Sequence, residues 1–216
     1  MKKLEYIFLL AGALSLASCE SWLDEDPQYT INTKTQFSTV ENAKQALMGC
    51  YGYMSADNAY GQAWQEVTFG YCGFGWSQTN GSSTDLLVSM DGGIDETINT
   101  MAWRGMYKVI GETNAFIANI ADSPLESADK LPMEAAARFL RALAYYNLAV
   151  TYGDVPLKTT PSAHDGVAVP RSPKNEVFEL VRTDWEFAYE NLPEKDDDGF
   201  ATKWAAKAYL GKLYHT

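Results

Sequence analysis

Histidine is nearly missing from this chain of 216 residues: there are two, His164 and His215. So small a supply argues against a histidine-built metal centre and against a Ser-His-Asp relay. Cysteine is scarce as well, with three residues, Cys19, Cys50 and Cys72, too few for a disulfide scaffold. Basic residues are in deficit, 17 against 28 acidic, for a net charge of −11. Nucleic-acid phosphates require a basic footprint, so nucleic acid is excluded as a partner. Adhesion to anionic headgroups through surface charge is excluded on the same ground. No segment after the first twenty residues approaches the about 20 apolar residues of a membrane span, and no P-loop or zinc-ligand spacing is present. What the chain does have is aromatic residues: 13 Tyr, 9 Phe and 6 Trp. With 46% hydrophobic and 21% charged residues, it reads as an ordinary globular chain long enough for a real core.

The N-terminus reads as an address. Met1-Lys2-Lys3 is a charged start, Tyr6 to Leu16 a short apolar run, and Ala17-Ser18-Cys19 a small-residue cleavage site. Leu16-Ala17-Ser18-Cys19 resembles the bacterial lipobox, in which the cysteine sulfur takes a diacylglycerol. Cys19 is therefore the expected lipidation site, and two or three acyl chains there give stable membrane anchoring. The expected organisation is a signal peptide over residues 1–18, a lipidated tether over 19–37 and a helical domain over 38–216. An irregular insertion is expected at about 56–95. Cys50 lies on an apolar helix face and reads as a buried free thiol, with a Cys50–Cys72 disulfide the less favoured alternative.

Helical periodicity organises the rest. Ser38-Thr39-Val40-Glu41 has capping-box spacing, and Ala43, Leu47, Cys50, Tyr51 and Met54 follow on one face, predicting a helix over 39–55. A second helix is predicted over 96–121. A third opens with Pro132 at its first turn and stops at Gly153. Residues 154–171 read as a loop or short strand. Ser172-Pro173 is read as an N-cap followed by proline at the first helical position. After a turn at 193–199 a last helix begins at Thr202. Leu148-Ala149-x-x-Tyr152 and Leu210-Gly211-x-x-Tyr214 are tetratricopeptide-like marks, in which a small residue lets helices approach and the tyrosine fills the groove. The fold class is thus mainly α, tetratricopeptide-like helical repeats of the α-solenoid type around an irregular, ligand-facing insertion. Thr216 falls inside an apolar-faced helical pattern, which reads as a chain ending mid-architecture.

The insertion carries Tyr60, Trp64, Phe69, Tyr71, Phe74 and Trp76, interleaved with glycines and with Gln62, Gln65, Gln78 and Asn80. Flat rings beside amides suit sugars, whose C–H faces stack on the ring while amides and carboxylates bond the hydroxyls. The competing reading is that these rings pack beneath a long loop. Trp76 is the first candidate for an exposed platform and Trp64 the second. Tyr71, Gln78 and Asn80 stand beside them, and Asp85 is the candidate hydroxyl acceptor. Asp85, Asp91, Asp95 and Glu96 show no spacing that selects a hydrolase carboxylate pair. Glu194-x-Asp196-x-Asp198-Gly199 begins like a calcium loop, but Ala205 stands where the bidentate glutamate belongs, so it reads as a solvated turn. Arg138 and Arg141, three apart on one helix, read as structural partners of nearby acids. No catalytic residue, metal site or cofactor is indicated.

Four stretches in order resemble the SusD/RagB family of outer-membrane nutrient-binding lipoproteins. They are Cys19-x-x-Trp22-Leu23-Asp24-Glu25-x-Pro27; Ala43-x-x-Ala46-Leu47-x-Gly49-x-Tyr51; and Ala137-Arg138-Phe139-Leu140-Arg141-Ala142 running on to Tyr152-Gly153-Asp154-Val155-Pro156-Leu157. The fourth is Pro170-Arg171-Ser172-Pro173 with Glu176-Val177-Phe178, followed by Lys203-Trp204-Ala205-Ala206-Lys207-Ala208. The match corresponds to the N-terminal portion of the family's longer chains. The resemblance implies a surface-exposed, lipid-anchored outer-membrane protein that captures oligosaccharides without cleaving them. It also implies a SusC-type TonB-dependent transporter as partner. The rival readings are a lipoprotein scaffold with a protein-docking helical face and, behind it, a glycoside hydrolase.

Overall fold

The computed structural model describes residues 33–70, 72, 89–90, 97–161 and 169–216. The signal peptide, the tether up to residue 32 and most of the predicted insertion lie outside the described residues. So do Cys19, Tyr71, Trp76, Gln78, Asn80 and Asp85.

A single helical turn, Thr33–Gln36, precedes helix α1, Val40–Ser55. Thr39 caps it, its hydroxyl accepting from the Asn42 N–H at 3.2 Å, while Ser38 Oγ donates to Thr35 O at 2.8 Å. The cap therefore sits one residue later than the capping-box spacing of Ser38 and Glu41 predicts. Ala43, Leu47, Cys50 and Met54 form the buried face of α1. A kinked turn, Asp57–Gly61, with Ala59 out of helical geometry, leads to α2, Ala63–Gly70. This corrects the expectation that 56–95 lacks helical structure throughout: eight residues make only two turns, too few to show a period.

Helix α3, Thr97–Ala121, and helix α4, Ser127–Tyr152, form an antiparallel hairpin. Tyr152 near the end of α4 donates to Asn99 O near the start of α3 at 3.2 Å, and Lys130 reaches Ala121 O at the other end at 3.2 Å. Pro132 lies inside α4 and does not open it. The first turn is solvent-exposed at Ala128, so the carbonyl that Pro132 cannot serve is open to hydration. Gly153 ends the helix at φ 73°, where a side chain is disfavoured.

The kinked turn presses directly on α3. A Cβ at Gly105 would stand 1.9 Å from Asn58 O, so only glycine admits the contact. Tyr60 in the same turn accepts from Asn147 of α4 at 2.7 Å. Its phenol is pushed up in pKa, chiefly by burial.

Strand β1, Val155–Pro156, pairs antiparallel with β2, Arg171–Ser172, closing a loop before α5, Lys174–Asn191. Pro173, not Ser172, occupies the N-cap, because Ser172 is engaged in the strand pair. Helix α6, Lys203–Leu213, is preceded by Thr202 at its N-cap. Trp185 of α5 is fully buried against Tyr146 of α4 and Tyr209 of α6, with centroids 5.5 and 5.2 Å away.

The polar exception in this core is fully paired. Arg141 donates twice to Asp184, at 2.8 and 2.8 Å, and once to Asn114 at 2.9 Å. Asn114 passes its amide N–H groups to Lys158 O and Thr160 O at 3.0 and 3.2 Å. Arg138 links Glu134 at 2.7 Å to Asp184 at 3.4 Å. The two arginines thus have the structural role that their spacing suggests. With Tyr145 bonding both the N–H and the C=O of Lys158 at 2.6 and 2.8 Å, the network fixes the segment after β1 to α3, α4 and α5.

Candidate functional site

Helix α2 buries Ala63, Trp64, Val67 and Gly70. That periodicity places Trp64 inward, where it is 7% exposed and 6.4 Å from the Tyr60 ring. The expectation that Trp64 offers a stacking face is corrected here: its faces are spent on the core side of α2. The same periodicity turns Phe69 outward, 66% exposed. Gln62, Gln65, Phe69 and Cys72 succeed one another at spacings of three and four, and all four are exposed.

The amides along this ridge are held in place. Gln65 donates to Tyr60 O at 2.7 Å, and Gln62 to the Glu66 carboxylate at 2.6 Å. Each keeps its carbonyl oxygen as an acceptor. Thr68 hydroxyl donates back to Trp64 O within α2 at 2.9 Å. Two cavities elsewhere among the described residues are small. The one between α1, α4 and the 193–201 turn measures about 70 Å³, and the one between α1, α3 and Phe37 about 130 Å³. Ligand pockets usually span about 300–1,000 Å³, so neither of these two cavities is of ligand size.

The chemistry of the described residues is otherwise quiet. Cys50 is buried and free, its thiol pushed up to about 12 chiefly by burial and secondly by Glu112. Cys72 is exposed and free. Among the described residues no group of three or more His, Cys, Asp or Glu is placed to hold a metal. Asp196 accepts from the Asp198 and Phe200 N–H groups at 3.0 and 2.9 Å, while Asp198 pairs with Lys44 and Glu194 with Lys203. The calcium-like stretch is a turn stabilised by its own backbone. No helix among the described residues is long and apolar enough to cross a membrane.

Composition places Phe69 in the aromatic set but favours Trp76 and Trp64 as the exposed rings. The signal that identifies it was available, since Ala63, Trp64, Val67 and Gly70 at helical spacing leave Phe69 outside.

Residues 21–215 match the family model described as SusD-like, starch-binding associating with outer membrane. A SusD-like protein of Formosa agariphila is 25% identical over 97% of this chain, which spans 42% of that relative. A laminarin-binding SusD-like protein of known structure is 25% identical with a TM-score of 0.69, over 82% of this chain and 40% of that one. A structure solved with a xylogluco-oligosaccharide is 26% identical with a TM-score of 0.67, over 78% of this chain and 34% of its own. These matches bear out the mainly helical, tetratricopeptide-like fold. The chain belongs to the SusD-like family.

Proposed function

We propose that this chain forms part of a cell-surface glycan-capture protein, in which the outward ridge of α2 contributes a stacking platform. The family match carries the reading, because that family is described as starch-binding and associated with the outer membrane. Two structural neighbours, one laminarin-binding and one solved with a xylogluco-oligosaccharide, support a glycan as the ligand class. Phe69 supplies what such a ligand needs on this chain: an exposed apolar ring on the same ridge as the exposed Gln62 and Gln65. Trp76, Tyr71, Gln78, Asn80 and Asp85 follow it in sequence and extend the proposed site. Binding rests on ring stacking and hydrogen bonds to sugar hydroxyls, with no bond broken and no cofactor. Cys19 bears the lipid anchor, and a SusC-type TonB-dependent transporter takes up the captured glycan.

Calorimetric titration with laminari-, xylogluco- and starch-derived oligosaccharides tests this. Phe69→Ala weakens binding at least about tenfold, the loss expected for one good stacking ring, with the helical circular dichroism unchanged. Trp76→Ala acts in the same direction. Unchanged affinity in Phe69→Ala sinks the platform, and absence of binding across the panel sinks the glycan reading itself.

A further inference from the structure

We propose that Tyr60 and Asn147 are positioning residues of the glycan site, which together hold the ridge of α2 in one orientation against α4. The proposal rests on the platform proposed for α2 and adds what keeps that platform in place. Asn147 is the residue that calls for it. It lies within the stretch of α4 from Arg141 to Ala149 that is buried throughout, and it is 7% exposed. A buried amide costs stability unless its groups are bonded, and an apolar side chain there would pack without that cost. Its Nδ2 donates to the Tyr60 phenol oxygen at 2.7 Å, while its other neighbour, Met106 Sδ at 3.9 Å, is a weak acceptor. The phenol is what answers this amide group.

Tyr60 is held at both ends. Its side chain takes the bond from the core of α4, and its main-chain carbonyl accepts from Gln65 Nε2 on α2 at 2.7 Å. Between the two, its ring lies 6.4 Å from that of Trp64, the inward ring of α2. A helix of eight residues has too few internal bonds to sustain itself, so its direction is set by what it rests on. The close approach of Asn58 O to Gly105 seats the turn on α3. The path from Asn147 through Tyr60 to Gln65 adds a directional tie to α4. Gln65 spends an amide N–H on this path and keeps its carbonyl oxygen as an acceptor on the same ridge as Phe69. Losing the tie therefore displaces a ring and an acceptor together, while the chemistry of the ridge surface stays the same.

The test uses the whole chain, the same oligosaccharide panel and three variants, read by calorimetry, urea denaturation and amide hydrogen exchange. Tyr60→Phe keeps the ring and removes the acceptor. It weakens glycan binding about three- to tenfold, the range of one hydrogen bond, and lowers the urea midpoint. It also speeds exchange over residues 63–70 and leaves residues 174–191 of α5 unchanged. Tyr60→Phe with Asn147→Leu removes both polar partners, so the midpoint recovers, but affinity and the fast exchange of α2 stay as in the single variant. Val181→Ala, a truncation in the core of α5, lowers the midpoint without changing affinity. Affinity that returns with the midpoint in the double variant overturns the proposal, because the pair is then a stability contact only. So does an equal loss of affinity in Val181→Ala, or unchanged exchange over 63–70 in Tyr60→Phe. Glycan binding that needs Phe69 and not Tyr60 ends the positioning role alone. No glycan binding by the unaltered chain, or indifference to Phe69→Ala, ends the platform and the positioning role with it.

Discussion

Trp185 and Phe69 are large aromatic residues on neighbouring parts of one helical stack. Trp185 is fully buried with its indole N–H directed to Phe139 O at 3.3 Å, whereas Phe69 stands 66% exposed with no polar tip to satisfy. The region around Trp185 joins α4, α5 and α6, and its polar groups are answered: Arg141, Asp184, Asn114 and Tyr145 are each hydrogen-bonded. The region around Phe69 is two turns of helix resting on a kinked turn, with one ridge facing outward. The comparison sets the helices that carry stability apart from the one proposed to carry recognition. Substitutions in the first region are expected to change folding, and substitutions on the outer ridge of the second to change binding alone.

The largest expected effect comes from the core network. Arg141→Ala leaves Asp184, which is fully buried, without its two best donors. Breaking a buried pair by removing one partner costs about 3–5 kcal/mol, read as a drop in the urea midpoint. Replacing both partners, Arg141→Met with Asp184→Leu, recovers much of that loss, because the uncompensated charge goes with it. A single variant no weaker than the double would break the claim that the charge, and not the packing, decides. The next effect tests the join between the two regions. Gly105→Ala forces a methyl against Asn58 O, where the structure leaves 1.9 Å. Overpacking of this kind costs about 1–3 kcal/mol. Because the turn it displaces carries α2, this variant also weakens glycan binding, unlike other core substitutions of similar cost.

Alkali sharpens the same contrast without mutation. Burial pushes Cys50 from 9.0 and Tyr51 from 10.0 up to about 12. Both are acids whose neutral form the fold favours, so the unfolded chain loses these protons first. Their contribution is complete below about pH 9 and falls as pH rises from there towards 12. A melting temperature that declines over that window is the expected result, and Cys50→Ala with Tyr51→Phe removes part of the decline. A flat profile up to pH 12 would show that these two groups are not sequestered in the folded state. Phe69, Gln62 and Gln65 carry no titrating group, so they add no pH dependence of their own to glycan binding.

Much of the stabilising region was legible in the sequence, and less of the platform. The starts of α1 and α3 fall within one residue of the predicted ones because long amphipathic periods and caps are local signals. The start of α4 lies before the expected Pro132 because proline at a first turn is a preference, and an exposed turn before it satisfies the same backbone rules. The arginine pair was legible as structural, yet its partners were not, since Asp184 is 43 residues from Arg141. Trp64 was misjudged for a different reason: composition marks a ring-rich segment but does not say which ring faces out. That depends on the phase of a helix only eight residues long, which follows a kinked turn pressed against Gly105.

Phase also separates the glycines, and here the expected effect is smallest and opposite in sign. Gly49 and Gly52 lie inside α1, and a Cβ at either would meet nothing within 4 Å. Glycine in a helix interior is less favourable than alanine by about 0.8–1.0 kcal/mol per residue. Gly49→Ala and Gly52→Ala are therefore each expected to raise stability by up to about that amount, with glycan affinity unchanged. The pair is informative against Gly105→Ala, since the substitution is the same and only the space beyond the Cβ differs. If all three variants shifted the denaturation midpoint downward alike, backbone conformation and not the close approach at Asn58 would govern them. If Gly49→Ala and Gly52→Ala stabilise while Gly105→Ala destabilises, the contact of the kinked turn on α3 is what makes glycine necessary at residue 105. That contact then fixes the phase of α2, and with it the outward direction of Phe69.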